Sequence, residues 1–296
     1  MAHIVTIINF KGGVGKTTCS VEIAAALARH YGRRTLLVDL DPQASATFYV
    51  MKQERWKEWT RAHGSTYELF NQKDGHFSIH DAIVHDVVRG ESTQPYVLGC
   101  DLLPSSPDLV DVDLRLTDFI GHTILQRYLD QVRDEYDFII CDCPPNFNPV
   151  TKNSLWASDT YIVPTIPDFL STYGIALLQR SINKMFASVQ QPQRTQAFSG
   201  PLLGGILLTR IKTNTRLHAA YREQVQHDYP GMVFKHIISD SILIAGAADN
   251  RVPISALTFP DERHRELQQQ FLGVTEEFIS RVRHVSSYRK HGLNKA

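Results

Sequence analysis

Asn9-Phe10-Lys11-Gly12-Gly13-Val14-Gly15-Lys16-Thr17-Thr18 joins an apolar run, His3-Ile4-Val5-Thr6-Ile7-Ile8, to a helix-like segment from Thr17 to His30. A standard G-x-x-x-x-G-K-[ST] phosphate loop needs glycine at position 10, which is Phe. The glycines stand instead at 12, 13 and 15, with a second lysine, Lys11, just ahead of them. That shifted spacing defines a deviant P-loop. Closely spaced glycines let successive backbone N–H groups turn inward on phosphate oxygens, and the following helix adds the positive end of its dipole. Gly12, Gly13, Val14, Gly15, Lys16, Thr17 and Thr18 are the expected cradle. Lys16 is expected against the β- and γ-phosphates, and the Thr17 hydroxyl as a Mg²⁺ ligand.

Outward from the loop, Thr35-Leu36-Leu37-Val38 reads as a buried strand that leads into Asp39-Leu40-Asp41-Pro42-Gln43. In a parallel sheet ligands meet the carboxyl ends of strands, so both aspartates fall at the nucleotide edge. Further on, Tyr136-Asp137-Phe138-Ile139-Ile140-Cys141-Asp142-Cys143-Pro144-Pro145 is an apolar strand ending in an acid. Asp142 thus has the position of a Walker B aspartate, which reaches Mg²⁺ usually through water.

Composition fits this reading. Of 296 residues 43% are apolar and 21% charged, ordinary for a globular protein with a sizeable core. Lys plus Arg equals Asp plus Glu at 31 each, so any binding to nucleic acid needs a local patch rather than bulk charge. Cys19, Cys100, Cys141 and Cys143 have neither a disulfide-framework nor a C-x-x-C spacing, and the 141/143 pair reads as packing beside Asp142. No signal peptide or membrane span is expected, and the reading is cytoplasmic.

The remaining segments alternate. Lys52–Arg61, with Trp56 and Trp59 on one face, and Ile79–Val88 read as short helices in an insertion over about 49–98 that covers a sheet face. Asp101–Pro104 reads as a strand and 108–133 as a helix. Thr160–Pro164 reads as a strand, with Pro167-Asp168 at its edge, and 171–189 as a helix. After a glutamine-rich connector, Leu202–Thr209 reads as a strand, 215–227 as a helix, 233–238 as a closing strand and 260–283 as a last helix. A solvated basic tail over about 284–296 lacks the apolar face of a membrane anchor. The expected fold is α/β: a single, doubly wound, mostly parallel sheet flanked by helices, in one domain over 1–296.

The stretches 11–18, 37–47 and 137–145 together resemble the ParA-type partition ATPases of the deviant Walker A family. The resemblance spans nearly the whole chain, and Asp41-Pro42-Gln43 separates it from the Min-system ATPases. It implies ATP and Mg²⁺ as cofactors, with Lys16 and Thr17 on phosphates and metal and Asp142 ordering a metal-bound water. Asp41 would position the attacking water and Asp39 would support the Mg²⁺ shell. Lys11 would cross to the phosphates of a second subunit in an ATP-dependent homodimer, acting as an arginine finger does. The resemblance also implies slow hydrolysis stimulated by a ParB-like adaptor, non-specific DNA binding by the dimer, and nucleoid association. The chain departs from its relatives at 237–248, where expected basic positions are Asp240 and Leu243. Arg210, Lys212, Arg216, Arg222, Lys235 and Arg251 are the candidates for a substitute DNA patch. The alternative is a ParA-like ATPase that positions a protein cargo, such as a chemoreceptor cluster or microcompartment.

Overall fold

The computed structural model describes residues 1–71, 77–90, 96–112, 123–189, 200–212 and 216–290; for 169–172, 188–189, 216–217 and 285–290 only the backbone is described. Six parallel strands form one sheet: β1 (His3–Ile7), β2 (Thr35–Asp39), β3 (Cys100–Leu103), β4 (Phe138–Asp142), β5 (Thr160–Thr165) and β6 (Leu202–Leu208). Their order is β3-β2-β4-β1-β5-β6. Strands β2 to β5 are buried along their whole length, which is why they read as continuous apolar runs rather than alternating ones.

Successive residues divide between two cores. Ile4, Ile8, Leu36, Val38, Ile139 and Cys141 face one, and Val5, Ile7, Leu37, Phe138 and Ile140 the other. Helices α1 (Lys16–Tyr31) and α2 (Ser45–Val50) lie on the second face, followed by α3 (Gln53–His63), α4 (Thr66–Phe70) and α5 (Ile79–Ala82). Next come α6 (Leu109–Val112), α7 (Ile124–Val132), α8 (Pro149–Ala157), α9 (Phe169–Val189) and α10 (Arg216–Asp228). Helices α11 (Ile242–Asn250) and α12 (Glu262–Lys290) complete the order. Buried side chains of α7, α8 and α9 enter the first core, while those of α12 join α1 in the second.

Several boundaries differ from expectation. Residues 233–238 do not form a strand: one isolated parallel bridge, Val233–Ile206, joins them to β6, and a second, Ile211–Ser239, lies just beyond both segments. The Phe234 ring enters over Gly205, where any Cβ would lie 2.5 Å from it, so the contact there is packing more than ladder. The helix expected over 79–88 stops at Ala82, because β-branched Ile83 and Val84 take extended backbone and Val84 bridges Leu102. The described residues of 49–98 wrap the β3 edge rather than covering one face, since Leu69 and Ile79 enter one core and Val84 and Val97 the other. Trp56 and Trp59 are held by N–H bonds to the Ser105 and Ala82 carbonyls, at 2.8 and 3.0 Å. The expected 108–133 helix is described as two pieces, its middle (113–122) lying outside the described residues, as does most of the 190–200 connector. The final helix runs on through Lys290, since no glycine or proline interrupts 284–290, so the start of the tail is helical. Residues 291–296 lie outside the described residues.

Candidate nucleotide site

Register builds the site. Ile7 and Asp39 both stand opposite Asp142 on β4, so the loops after β1, β2 and β4 leave the sheet at one edge. The loop after β1 turns at Gly13 (φ 72°) and Gly15 (φ 80°), in the left-handed region that glycine tolerates, and α1 begins at Lys16. The N–H groups of a helix's first turn have no partner inside the helix, which makes this end a seat for an anion.

Lys16 is 7% exposed, and its ammonium donates to the Lys11 carbonyl at 3.2 Å. Burial lowers its pKa, with the charges of Asp142 and Asp41 acting in the opposite sense. Thr17 Oγ1 donates to Asp142 Oδ2 and Ser20 Oγ to Asp142 Oδ1, both at 2.8 Å. Ser20 lies outside the motif, yet its i,i+3 spacing from Thr17 puts both hydroxyls on one helix face. Asp39, fully buried, accepts from Thr47 N–H (2.8 Å) and Thr47 Oγ1 (2.7 Å) on Oδ2, and from Asp41 N–H (3.1 Å) on Oδ1. Its carboxyl therefore shapes the loop that carries Asp41. Asp41 Oδ1 accepts from Gln43 N–H at 2.9 Å, and the Ser105 hydroxyl donates to the Asp41 carbonyl at 2.6 Å. Burial raises the pKa of both Asp39 and Asp142. Asp142's charge adds to the rise at Asp39, and bonds from Thr17 and Ser20 moderate it at Asp142. Two buried acids opposed in register, beside a hydroxyl oxygen, are hard donors of the kind Mg²⁺ takes when phosphate and water complete its shell. The residues fit such an ion.

Around these groups lies a cavity of about 590 Å³, lined on one side by the P-loop and Asp41 and on the other by Thr209, Arg210, Ile238, Asp240, Ser241 and α11. Residues of the 237–248 segment thus form a wall of this cavity. Lys11, next to Gly12 of the cavity lining, is about a third exposed, its ammonium 2.5 Å from Asp168 beyond β5. Cys141 and Cys143 are buried in the core beside Asp142.

Residues 2–193 match the AAA domain family AAA_31. The sporulation initiation inhibitor protein Soj of Bacillus subtilis is 30% identical over 255 residues, covering 86% of this chain and 90% of that protein. The chain belongs to the ParA-type P-loop ATPases. The chromosome-partitioning ATPase Soj of Treponema pallidum is 31% identical over 258 residues, with 86% and 90% coverage. A variant of Cyanothece McdA, solved as its ATP complex, shares the fold of this ParA-type chain, with a TM-score of 0.73 at 18% identity over 93% of this chain and 96% of that one. Cobyrinic acid a,c-diamide synthase from Mycobacterium smegmatis, solved with a bound ATP analogue and magnesium, has a TM-score of 0.65 at 27% identity, covering 85% and 92%. The ParA-type family is thus one of nucleotide- and magnesium-binding partition ATPases.

Of the basic residues expected to meet DNA, Arg210 sits in the cavity wall, and Lys212 and Arg222 line a groove of about 370 Å³ with His218. Lys235 lies where Glu277 accepts its N–H, and Arg251 caps α11 at φ 58°. The Arg216 side chain lies outside the described residues. Among the described residues no helix is long and apolar enough to cross a membrane.

Proposed function

We propose that this chain is an ATP-dependent, dimerising Mg-ATPase that drives plasmid or chromosome partition through non-specific DNA binding in the ATP state and adaptor-stimulated hydrolysis. The observation that carries the reading is the convergence at one sheet edge of the glycine cradle, the opposed pair Asp39–Asp142 and the Asp41 loop. Gly12 to Thr18 and Lys16 hold the phosphates, and Thr17 and Asp142 hold Mg²⁺, which when bound supplies positive charge against the phosphate oxygens. Asp41 orients the attacking water, and Asp39 supports the metal site by fixing the loop that carries Asp41. Lys11 can leave Asp168 for the phosphates of a second copy, because a partly exposed ion pair contributes at most about 1 kcal/mol. Lys212, Arg222, Lys235 and Arg251, with Arg216, are the cations offered to DNA, while Arg210 bonds the Gly13 carbonyl.

The test is binding of non-specific duplex DNA with ATP, with ADP and without nucleotide, across salt. Binding restricted to the ATP state, and weakening about tenfold or more between about 50 and 200 mM salt, is expected if a few phosphates are neutralised. Flat or absent binding with ATP would favour the positioning of a protein cargo instead.

A further inference from the structure

We propose that Thr209 and Arg210, just beyond β6, are positioning residues for the phosphate cradle, and that Asp240 links them to the wall formed by 237–248. The proposal rests on the nucleotide reading of the cavity and names how its two sides communicate.

Two consecutive P-loop carbonyls are held from outside the loop. Thr209 Oγ1 donates to the Val14 carbonyl at 2.8 Å, and Arg210 Nη1 to the Gly13 carbonyl at 3.1 Å. A peptide is planar and trans, so fixing these carbonyls also fixes the directions of the Val14 and Gly15 N–H groups. Those peptides lie among the glycines, where the backbone has the most freedom to lose. A cradle set before its anion arrives has less ordering to do on binding.

Arg210 is itself held. Its Nε donates to Asp240 Oδ1 at 3.2 Å, while Ile211 N–H donates to Ile238 and Asp240 N–H to Ile211. Its backbone lies at φ 51°, an unfavourable region for a side-chain-bearing residue and one that persists where surroundings impose it. The planar guanidinium spans Gly13 and Asp240 with two donors in a rigid fork, a bridge that a lysine ammonium, as a point charge, does not reproduce. Arg210 thereby serves the P-loop rather than a DNA face. Asp240 is its anchor. Both Arg210 and Asp240 line the cavity together with Ile244, Ala245 and Ala248 of α11, so displacement of this wall reaches the cradle through one guanidinium.

The experiment measures ATP·Mg²⁺ affinity by titration calorimetry, and nucleotide-free melting, for the wild-type chain, Arg210→Met, Arg210→Lys, Asp240→Ala, Arg210→Met/Asp240→Ala and Lys16→Ala. Arg210→Met is expected to bind ATP about tenfold more weakly, as for one lost charge-assisted bond, with melting within about 2 °C of wild type. Arg210→Lys is not rescued. Asp240→Ala weakens binding several-fold alone and adds nothing to Arg210→Met, as expected for partners in one relay. Arg210→Met within twofold of wild type, additive effects, or full rescue by lysine would each overturn the relay; the last would make Arg210 a simple charge on phosphate. A wild-type chain that fails to bind ATP, or a Lys16→Ala variant that binds as well as wild type, would instead overturn the nucleotide reading beneath it.

Discussion

Glu22→Ala tests a group buried at the back of the nucleotide site. Glu22 is wholly buried in α1, and its carboxylate accepts from Ile254 N–H at 2.9 Å, Ser255 N–H at 2.8 Å and the Tyr49 hydroxyl at 3.0 Å. It thus ties the P-loop helix to α2, which follows the Asp41 loop, and to the chain leaving α11. Removing it leaves three buried donors without an acceptor, at about 1 to 3 kcal/mol each. Against that loss stands relief from burying the carboxylate, which raises its pKa. With that relief set against three lost bonds, a net loss of about 3 to 5 kcal/mol is expected, at the upper end for single substitutions. For a chain of this size that corresponds to a melting temperature lower by about 6 to 10 °C. Glu22→Gln keeps one acceptor and turns an amide N–H toward a donor, so an intermediate loss is expected. The assay is thermal unfolding without nucleotide, followed by circular dichroism. Hydrogen exchange should show Ile254 and Ser255 amides opening faster while those of β1 are unchanged. A Glu22→Ala variant melting within about 2 °C of wild type would refute the reasoning.

The remaining expectations concern the front of the site. Lys16→Met loses donors to two phosphates at about 1.5 to 3 kcal/mol each, so calorimetry should find ATP binding weaker by about 10² to 10⁴-fold; a loss under tenfold contradicts the assignment. Asp41→Ala should bind ATP and release phosphate at about a hundredth of the wild-type rate or less, and normal turnover removes its water-positioning role. Lys11→Ala should keep ATP affinity within a few-fold and fail to dimerise with ATP in light scattering; a normal ATP dimer rules out the lysine in trans. Burial raises the Asp142 pKa from 3.8 to about 6. Its folded-state contribution is therefore fully present below about pH 4 and lost as pH rises through about 6. Without Mg²⁺, Asp142→Asn should melt increasingly above wild type across that window, and a pH-independent difference would show that the burial is relieved some other way.

The parts legible in the sequence are those whose signal is local. The glycine spacing at 12–15, the lysine-threonine start of α1 and apolar runs ending at Asp39 and Asp142 each occupy a few adjacent residues, and the parallel fold follows from their alternation with helices. Glu22 is hard to read because its partners stand 27 and over 230 residues away, although a single acid in the apolar run from Cys19 to Ala28 is a signal in itself. Thr209 and Arg210 acquire their roles only when β6 is placed beside β5, so isolated cations there read as surface charge. Helix α8 is absent from the sequence reading despite its Asn148-Pro149 start, a cap followed by proline at the first turn. The 233–238 run has strand composition, but the glycine that admits Phe234 belongs to another segment.

The cavity has a consequence for biosynthesis. Its first wall, residues 12–19, leaves the ribosome more than a hundred residues ahead of Asp142 and further still ahead of residues 209–248. Parallel strands so distant in sequence pair slowly, because loop closure precedes any gain from contact. A nascent chain that ends just before Thr209 therefore carries the whole phosphate-loop motif with half of its cavity missing, and nucleotide can stabilise the complete site only once residues 209–248 have emerged.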